Sequence, residues 1–593
     1  MPGFIGTLET KKKIIFNKEE RKNLLIEYLE GTDYFIERRT INKFLLDKVF
    51  VDRDDLLIVT EGVILNKEEL QIKYNVSTFE ECIILMYKTL GETFFNSFRG
   101  SFSGVLFDKQ IDKYLIFTDH IGSKQVFYSV LEDGLLYGTE IGFLVETRKL
   151  NNLPVTLNKT GAYLALTHGF VIEDYTLVSE IKKLTAGHYL RYDKKELEEI
   201  QYHRFTNKPN LTITIDEAIE GIDKLFRHAV KLQFDKDKEY GFKHITALSG
   251  GLDSRMTVWV ADQMGYANQL NTTFSQSNYL DFTIAQQIAT DLHHDFIFKP
   301  LDHGDFIKNL DEITPITYGS TCFFGISHGK SLYDKINFEP YGIMHTGMIG
   351  DAVIGTFFRK PTYEGEIKIG LGAYSMEFIE KLKDFKFKYE YENEEIFCLY
   401  TRAFTGANQG ILEFQENTES LSPFCDVDFL EYCYSLPVKL RYNHKIYCDW
   451  IFKKYPQAAS YIWEKKKKKI SPVENIEPKF ITVFGKKIPA MNDSDFPVWL
   501  KGSILRRIGL RKKGAKPKTE YIPDSYSMNP IDYWYNHNES LRNFMNEYWS
   551  NNSDLIEDKE LYSDMSHLFN DCVVLDKLQS LSVLSTIKRM RDA

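Results

Sequence analysis

Apolar and polar positions alternate with two different periods along this chain, and the change of period divides it. Up to about residue 200 the apolar residues come in short alternating runs, among them Gly104-Val-Leu-Phe, Tyr114-Leu-Ile-Phe-Thr and Gln125-Val-Phe-Tyr-Ser-Val. That period predicts half-buried strands, and Asp133-Gly134 between two runs is a hairpin signal. One stretch, about residues 79–91, carries helical spacing instead. The whole predicts an antiparallel-sheet domain. From about Ile215 the texture changes. Asp216 is expected to cap a helix through Val230, and strands at 244–248, 270–274 and 296–298 alternate with helices after 253 and over 280–292. Such alternation predicts a parallel α/β sheet that binds ligands at the carboxyl ends of its strands. Residues 375–465 read as mostly helical, 506–518 as a basic loop, and 575–590 as an amphipathic helix.

Composition adds exclusions. With 593 residues there is room for two to four domains, and a net charge of −10 argues against nucleic acid or a membrane surface as partner. No run approaches the roughly 18 apolar residues of a membrane span. The first residues lack the basic and apolar regions of a signal peptide. The seven cysteines are dispersed without a C-x-x-C, which reads as reduced core thiols in a cytoplasmic protein.

The chemistry concentrates in His244-Ile-Thr-Ala-Leu-Ser-Gly-Gly-Leu-Asp-Ser-Arg255. A strand runs into Ser249, Gly250, Gly251, Asp253 and Ser254, and a helix follows. Adjacent glycines permit a tight turn and close approach to a ligand, and a helix N-terminus aimed at the turn binds phosphate. Asp253 would repel a phosphate unless a divalent cation lay between them. A second strand-loop-carboxylate unit, His345-Thr-Gly347-Met-Ile-Gly350-Asp351, supplies the matching ligand. Asp253 and Asp351 are therefore the expected Mg²⁺ ligands, and the loop is expected to hold pyrophosphate leaving a nucleotide. Arg255 either reaches a phosphate or lies solvated on the helix.

These two loops, with the stretch from Glu419 through Pro423-Phe424-Cys-Asp426 to Ser435-Leu-Pro437, resemble the asparagine synthetase family. The resemblance extends to Trp463-Glu-Lys-Lys466 with Pro472, and in the first domain to Leu65-Asn66, Gly100-Ser-Phe, Asp119-His-Ile-Gly122 and Thr139-Glu140-Ile141. It implies an N-terminal-nucleophile glutaminase-type domain over residues 1–205. An adenine-nucleotide α-hydrolase-like synthetase domain would follow over 215–475, with a partly helical extension over 476–593. It further implies an ATP-dependent, AMP-forming ligase with ATP and Mg²⁺ as cofactors. Leu248, Phe274 and Gly347 join the loop residues in binding the nucleotide, Glu419 acts on the amine, and Lys466 stabilises transition-state charge. Trp463 and Pro472 select that lysine from the run 465–469.

Departures from the family shape the expectation. Pro2 stands where glutamine-hydrolysing members have a nucleophilic cysteine, Val63 replaces a Glu, and Phe79 replaces an Asp. A proline side chain has no nucleophile, so the first domain is expected to be a dead glutaminase. In the second half, Ala352 replaces a Glu and Leu421 an Arg, which puts aspartate in doubt as acceptor. The partners implied are a small-molecule or peptide carboxylate and an amine or ammonia, with a homodimer or a separate amine-supplying protein as options. Two alternatives remain open: intramolecular closure, as in β-lactam synthetases and lasso-peptide cyclases, and a nucleotide-binding scaffold.

Overall fold

The computed structural model describes residues 2–8, 14–16, 24–358, 366–472, 480–483, 486–489 and 527–592. The basic stretch 506–518 lies outside the described residues. Two six-stranded sheets with antiparallel pairing form the first domain. One places Gly3–Leu8 between Tyr34–Ile41 and Gly134–Gly138; the other is built around Leu56–Ile64, Gly100–Asp108 and Lys113–Thr118. Their alternating apolar positions bury Phe4, Leu57, Val59, Val105, Ile116 and Tyr137 in one core. The helix Phe79–Leu90 covers the far face, opened by a Thr78–Glu81 capping box.

The second half is a five-stranded parallel sheet in the order Asp295–Pro300, Gln269–Ser275, Lys243–Ala247, Tyr341–His345, Ser420–Leu421. The strand that comes first in sequence is central, so strand order reverses between Lys243–Ala247 and Tyr341–His345. That reversal opens a crevice at their carboxyl ends, where such sheets bind ligands. The helix Ile215–Glu239 packs beneath, longer than the apolar pattern predicts, and its cap is Thr214 rather than Asp216. Thr214 accepts from the Glu217 N–H (3.2 Å), and the Glu217 carboxylate accepts from the Thr214 N–H (2.9 Å).

The last helix, Val574–Asp592, departs from the expected amphipathic form because nearly every face is buried. It lies against Lys159–His168 of the first domain and Leu310–Thr317 of the second. Its non-apolar face carries small hydroxyls that bond locally, Ser580 to the Asp576 carbonyl (3.1 Å) and Thr586 to that of Ser582 (3.0 Å). Self-satisfied hydroxyls can be buried where lysines could not, and the hydrophobic pattern does not register the difference. Leu578, Leu581 and Leu584 share one core with Leu164, Phe170, Leu310 and Trp534.

Candidate functional site

The central strand runs into Leu248, whose N–H donates to the Thr272 carbonyl (2.9 Å). The turn that follows is closed by its own serines. The Ser249 N–H donates to Ser254 Oγ (2.9 Å), the two hydroxyls are 2.9 Å apart, and the Gly251 N–H reaches Ser249 Oγ (3.2 Å). Gly250 donates its N–H to Asp281 Oδ1 (2.8 Å).

The second loop rests directly on the first, and two glycines permit it. A Cβ at Gly347 would stand 2.2 Å from the Ser254 nitrogen, and one at Gly350 would stand 2.6 Å from Asp253 Cγ. Between them Ile349, a β-branched residue, is held at φ 57°, a conformation that costs energy. This placement brings the Asp351 N–H to Asp253 Oδ2 (3.0 Å), while the Tyr447 hydroxyl donates to Oδ1 (2.8 Å). Burial, and then the charge of Asp351, pushes Asp253 up to about 8. A buried carboxylate whose proton affinity a second carboxylate raises fits a hard divalent cation, which removes the repulsion. Asp253 and Asp351 are the residues that would hold it.

A hairpin, Ile462–Trp463 paired with Lys468–Lys469, seats on the glycine loop from the other side. The Glu464 N–H donates to the Gly250 carbonyl (3.2 Å), and the Tyr279 hydroxyl donates to the Glu464 carboxylate. Lysines 465–469 are all exposed. The sequence selects Lys466, yet the lysine charge that reaches Asp253 is that of Lys465. Lys466 Nζ lies 6.0 Å from the Trp463 ring centroid, and its charge reaches His444. The hairpin turn holds Lys467 at φ 54°.

Arg255 is resolved as structural. It is fully buried and donates to the carbonyls of Gly250 (2.9 Å), Ala458 (3.2 Å) and Ile462 (2.7 Å), tying loop to hairpin. Phe274 turns its ring onto His328 (4.7 Å) and Tyr333 (6.2 Å). Beneath the loops, Asp237 Oδ2 is hydrogen-bonded to His244 Nδ1 (2.8 Å) and His345 Nε2 (2.7 Å), a buried set whose facing atoms are already used.

Glu419 is set elsewhere. It lies at the entry of the strand Ser420–Leu421, between two lysines of the first domain. Lys48 Nζ is 3.4 Å from Oε1 and Lys124 Nζ 2.7 Å from Oε2; Lys48 also pairs with Glu61 at 2.9 Å. Side-chain exposures are 0% for Lys48, 4% for Lys124 and 1% for Glu419. Burial pushes the carboxyl up, but Lys124 and Lys48 together hold it below its ordinary value. A carboxylate so paired accepts a proton poorly. Beside it Leu421 packs with Val63, Phe44 and Ile343 in one apolar cluster. The substituted positions of the two halves thus meet each other. Phe79 is likewise core, and Ala352 is buried, its carbonyl 3.5 Å from the Tyr434 hydroxyl.

Leu248, Ser249, Gly250, Gly251, Asp253, Ser254, Gly347 and Asp351 are therefore brought together as the sequence predicts. Tyr447, His444 and Asp281 also line the site and are missed by the sequence reading, while Lys465 belongs to the run from which it selects Lys466. His444 sits at φ 59° with its ring edge-on to Trp463 (5.4 Å), and burial, with Lys465 next, pushes it down to about 4. No motif spacing marks Asp281, His444 or Tyr447, because the fold delivers them from segments outside the two glycine loops.

Two family models match separate parts of the chain. Residues 49–203 match the family model of the glutamine amidotransferase domain, and residues 221–332 match that of asparagine synthase. The chain is 27% identical over 348 residues to the protein named asparagine synthetase (glutamine-hydrolyzing) 2 in Methanocaldococcus jannaschii, covering 56% of this chain and 63% of that one. It is 25% identical over 269 residues to asparagine synthetase (glutamine-hydrolyzing) 2 of Bacillus subtilis, covering 41% and 34%. Over 212 residues it is 28% identical to the amidase chyE of Penicillium rubens, covering 34% and 30%. The chain thus spans less than two thirds of the length of each of these relatives.

Proposed function

The chain belongs to the asparagine synthetase family, and from that premise we propose that it is an ATP-dependent carbon–nitrogen ligase that forms AMP and does not hydrolyse glutamine. The observation that carries the reading is the placement of Asp253 beside Asp351, over a glycine loop at the point where strand order reverses. A substrate carboxylate oxygen attacks the α-phosphorus of ATP, the bond to the β-phosphate oxygen breaks, and pyrophosphate leaves against the loop N–H groups. An amine then attacks the acyl carbonyl, AMP departs, and an amide remains. Mg²⁺ held by Asp253 and Asp351 would neutralise the departing phosphates. The chain's own part is to hold the triphosphate with the turn, fix Asp253 through Tyr447, and present the Lys465–Lys466 hairpin to developing negative charge.

Two observations support leaving glutamine out. The residue leading into Gly3–Leu8 is Pro2, which is buried and offers no nucleophilic atom. The Val63–Leu421 cluster and the Lys48–Glu419–Lys124 pairs narrow the junction between the halves, where a small pocket lined by Leu65, Asp119, Ser123, Leu421 and Asp426 remains. The nitrogen then enters from outside as ammonia or as an amine of the substrate itself, which keeps intramolecular closure as a second reading. Among the described residues no helix is long and apolar enough to cross a membrane.

The test is to incubate the protein with labelled ATP, Mg²⁺, an amine source and pools of small acids and peptides. Label appearing as AMP with an equal amount of pyrophosphate supports the reading. Release of ADP, or of glutamate from glutamine, contradicts it.

A further inference from the structure

One part of the site has no role in the reaction as described. Asn443 and His444 are consecutive side-chain-bearing residues with left-handed backbone, at φ 55° and 59°. Such conformations are costly and concentrate at sites where surrounding structure enforces them. Here the turn delivers the start of the helix Lys445–Lys454 to the glycine loop, because Tyr447 in its first turn is the donor to Asp253. The side chain of Tyr447 thereby ties this turn to Asp253, the first residue of the helix Asp253–Gln263. The same turn places the His444 imidazole against Trp463, in the fields of Lys465, Asp351 and Lys466. Its Nε2 is buried without a hydrogen-bond partner, an arrangement uncommon in proteins because each such atom forfeits a bond it makes in water.

We propose that His444 binds pyrophosphate: its Nε2–H donates to a β- or γ-phosphoryl oxygen of the bound nucleotide and, after cleavage, to the pyrophosphate ion. The proposal rests on the ATP-cleaving reading above and assigns one residue within it. Pyrophosphate is the ligand the surroundings select. The two ammonium groups of Lys465 and Lys466 and the N-terminus of Asp253–Gln263 call for a polyanion, and the adjacent Asp253–Asp351 pair calls for the divalent cation that travels with it. A carboxylate substrate would meet Asp351 with no cation of its own.

The backbone provides a clean test, since glycine and asparagine both accept a left-handed φ more readily than histidine. His444→Gly and His444→Asn are compared with the wild-type protein by calorimetric titration with Mg²⁺-pyrophosphate and, separately, with AMP. Melting temperature is measured alongside. Loss of one hydrogen bond to a charged oxygen predicts pyrophosphate affinity about tenfold weaker or more. AMP affinity is expected to stay within about twofold and the melting temperature within about 2 °C of wild type, since strain is relieved as packing is lost. Pyrophosphate affinity within about twofold of wild type in both variants overturns the proposal. So does an equal loss of AMP affinity and melting temperature, which marks a purely structural histidine. If the wild type binds ATP but not pyrophosphate, this inference falls alone. If it binds neither, the ATP-cleaving reading falls with it.

Discussion

Two buried carboxylates in this molecule, Asp253 and Glu419, have opposite surroundings, and the contrast separates site from scaffold. Glu419 sits between Lys48 and Lys124, whose ammonium groups lie 3.4 and 2.7 Å from its two oxygens across the junction of the two halves. Asp253 has only a hydroxyl and an N–H for partners and faces a second carboxylate. Burial raises the proton affinity of both, but the lysines reverse the effect at Glu419 whereas Asp351 adds to it at Asp253. A buried charge that the protein neutralises itself belongs to the architecture. One left in deficit is a place prepared for something that arrives.

Removing each carboxylate should therefore do opposite things. Asp253→Asn is expected to abolish ATP–pyrophosphate exchange, by about a thousandfold or more if the cation stabilises the leaving group. Its melting temperature without Mg²⁺ should not fall, because a repulsion is lost. Glu419→Gln should instead destabilise the fold by about 3–5 kcal/mol, the cost of leaving buried lysines short of a counter-charge, read by urea denaturation. A paired replacement, Lys124→Met with Glu419→Leu, should recover most of that loss. If Glu419→Gln is stable and inactive, the two carboxylates have been assigned the wrong way round.

The hairpin lysines refine the contrast. Lys465→Ala is expected to slow exchange by about tenfold or more, and Lys466→Ala by less, since the Lys465 charge is the one that reaches Asp253. The reverse order in kinetic measurements would restore the reading from linear anchors.

The smallest effect is in pH dependence without metal. Asp253 rises from 3.8 to about 8 on folding, so its contribution to stability is full below about pH 4 and is lost as pH climbs toward 8. Glu419 is lowered from 4.5, so its contribution holds above that value and is lost as pH falls below it. Melting temperatures should decline gently from pH 5 to 8 in the wild type and more weakly in Asp253→Asn. Saturating Mg²⁺ should flatten the wild-type slope, and an unchanged slope in Asp253→Asn would place its origin elsewhere.

How far the sequence carries depends on whether a residue acts through its neighbours in the chain or across the fold. The 249–254 turn, Gly347 and Asp351 are legible because strand, glycine and carboxylate stand together in the chain. The antiparallel pairing before residue 200 and the parallel sheet after it follow from a change of period that spans many residues. The ion pairs of Glu419 are not legible, since Lys48 and Lys124 stand 371 and 295 residues away in the chain. His444 and Tyr447 lie in no motif at all. The burial of Val574–Asp592 escapes the hydrophobic pattern because serines and threonines that bond to their own helix resemble a solvated face.

The most direct test of the account is carboxylate-dependent ATP–pyrophosphate exchange measured side by side in the wild type, Asp253→Asn, and the double variant Lys124→Met with Glu419→Leu. The account predicts exchange in the wild type and in the refolded double variant, and none in Asp253→Asn. Exchange that survives in Asp253→Asn but disappears from a stably folded double variant would contradict it.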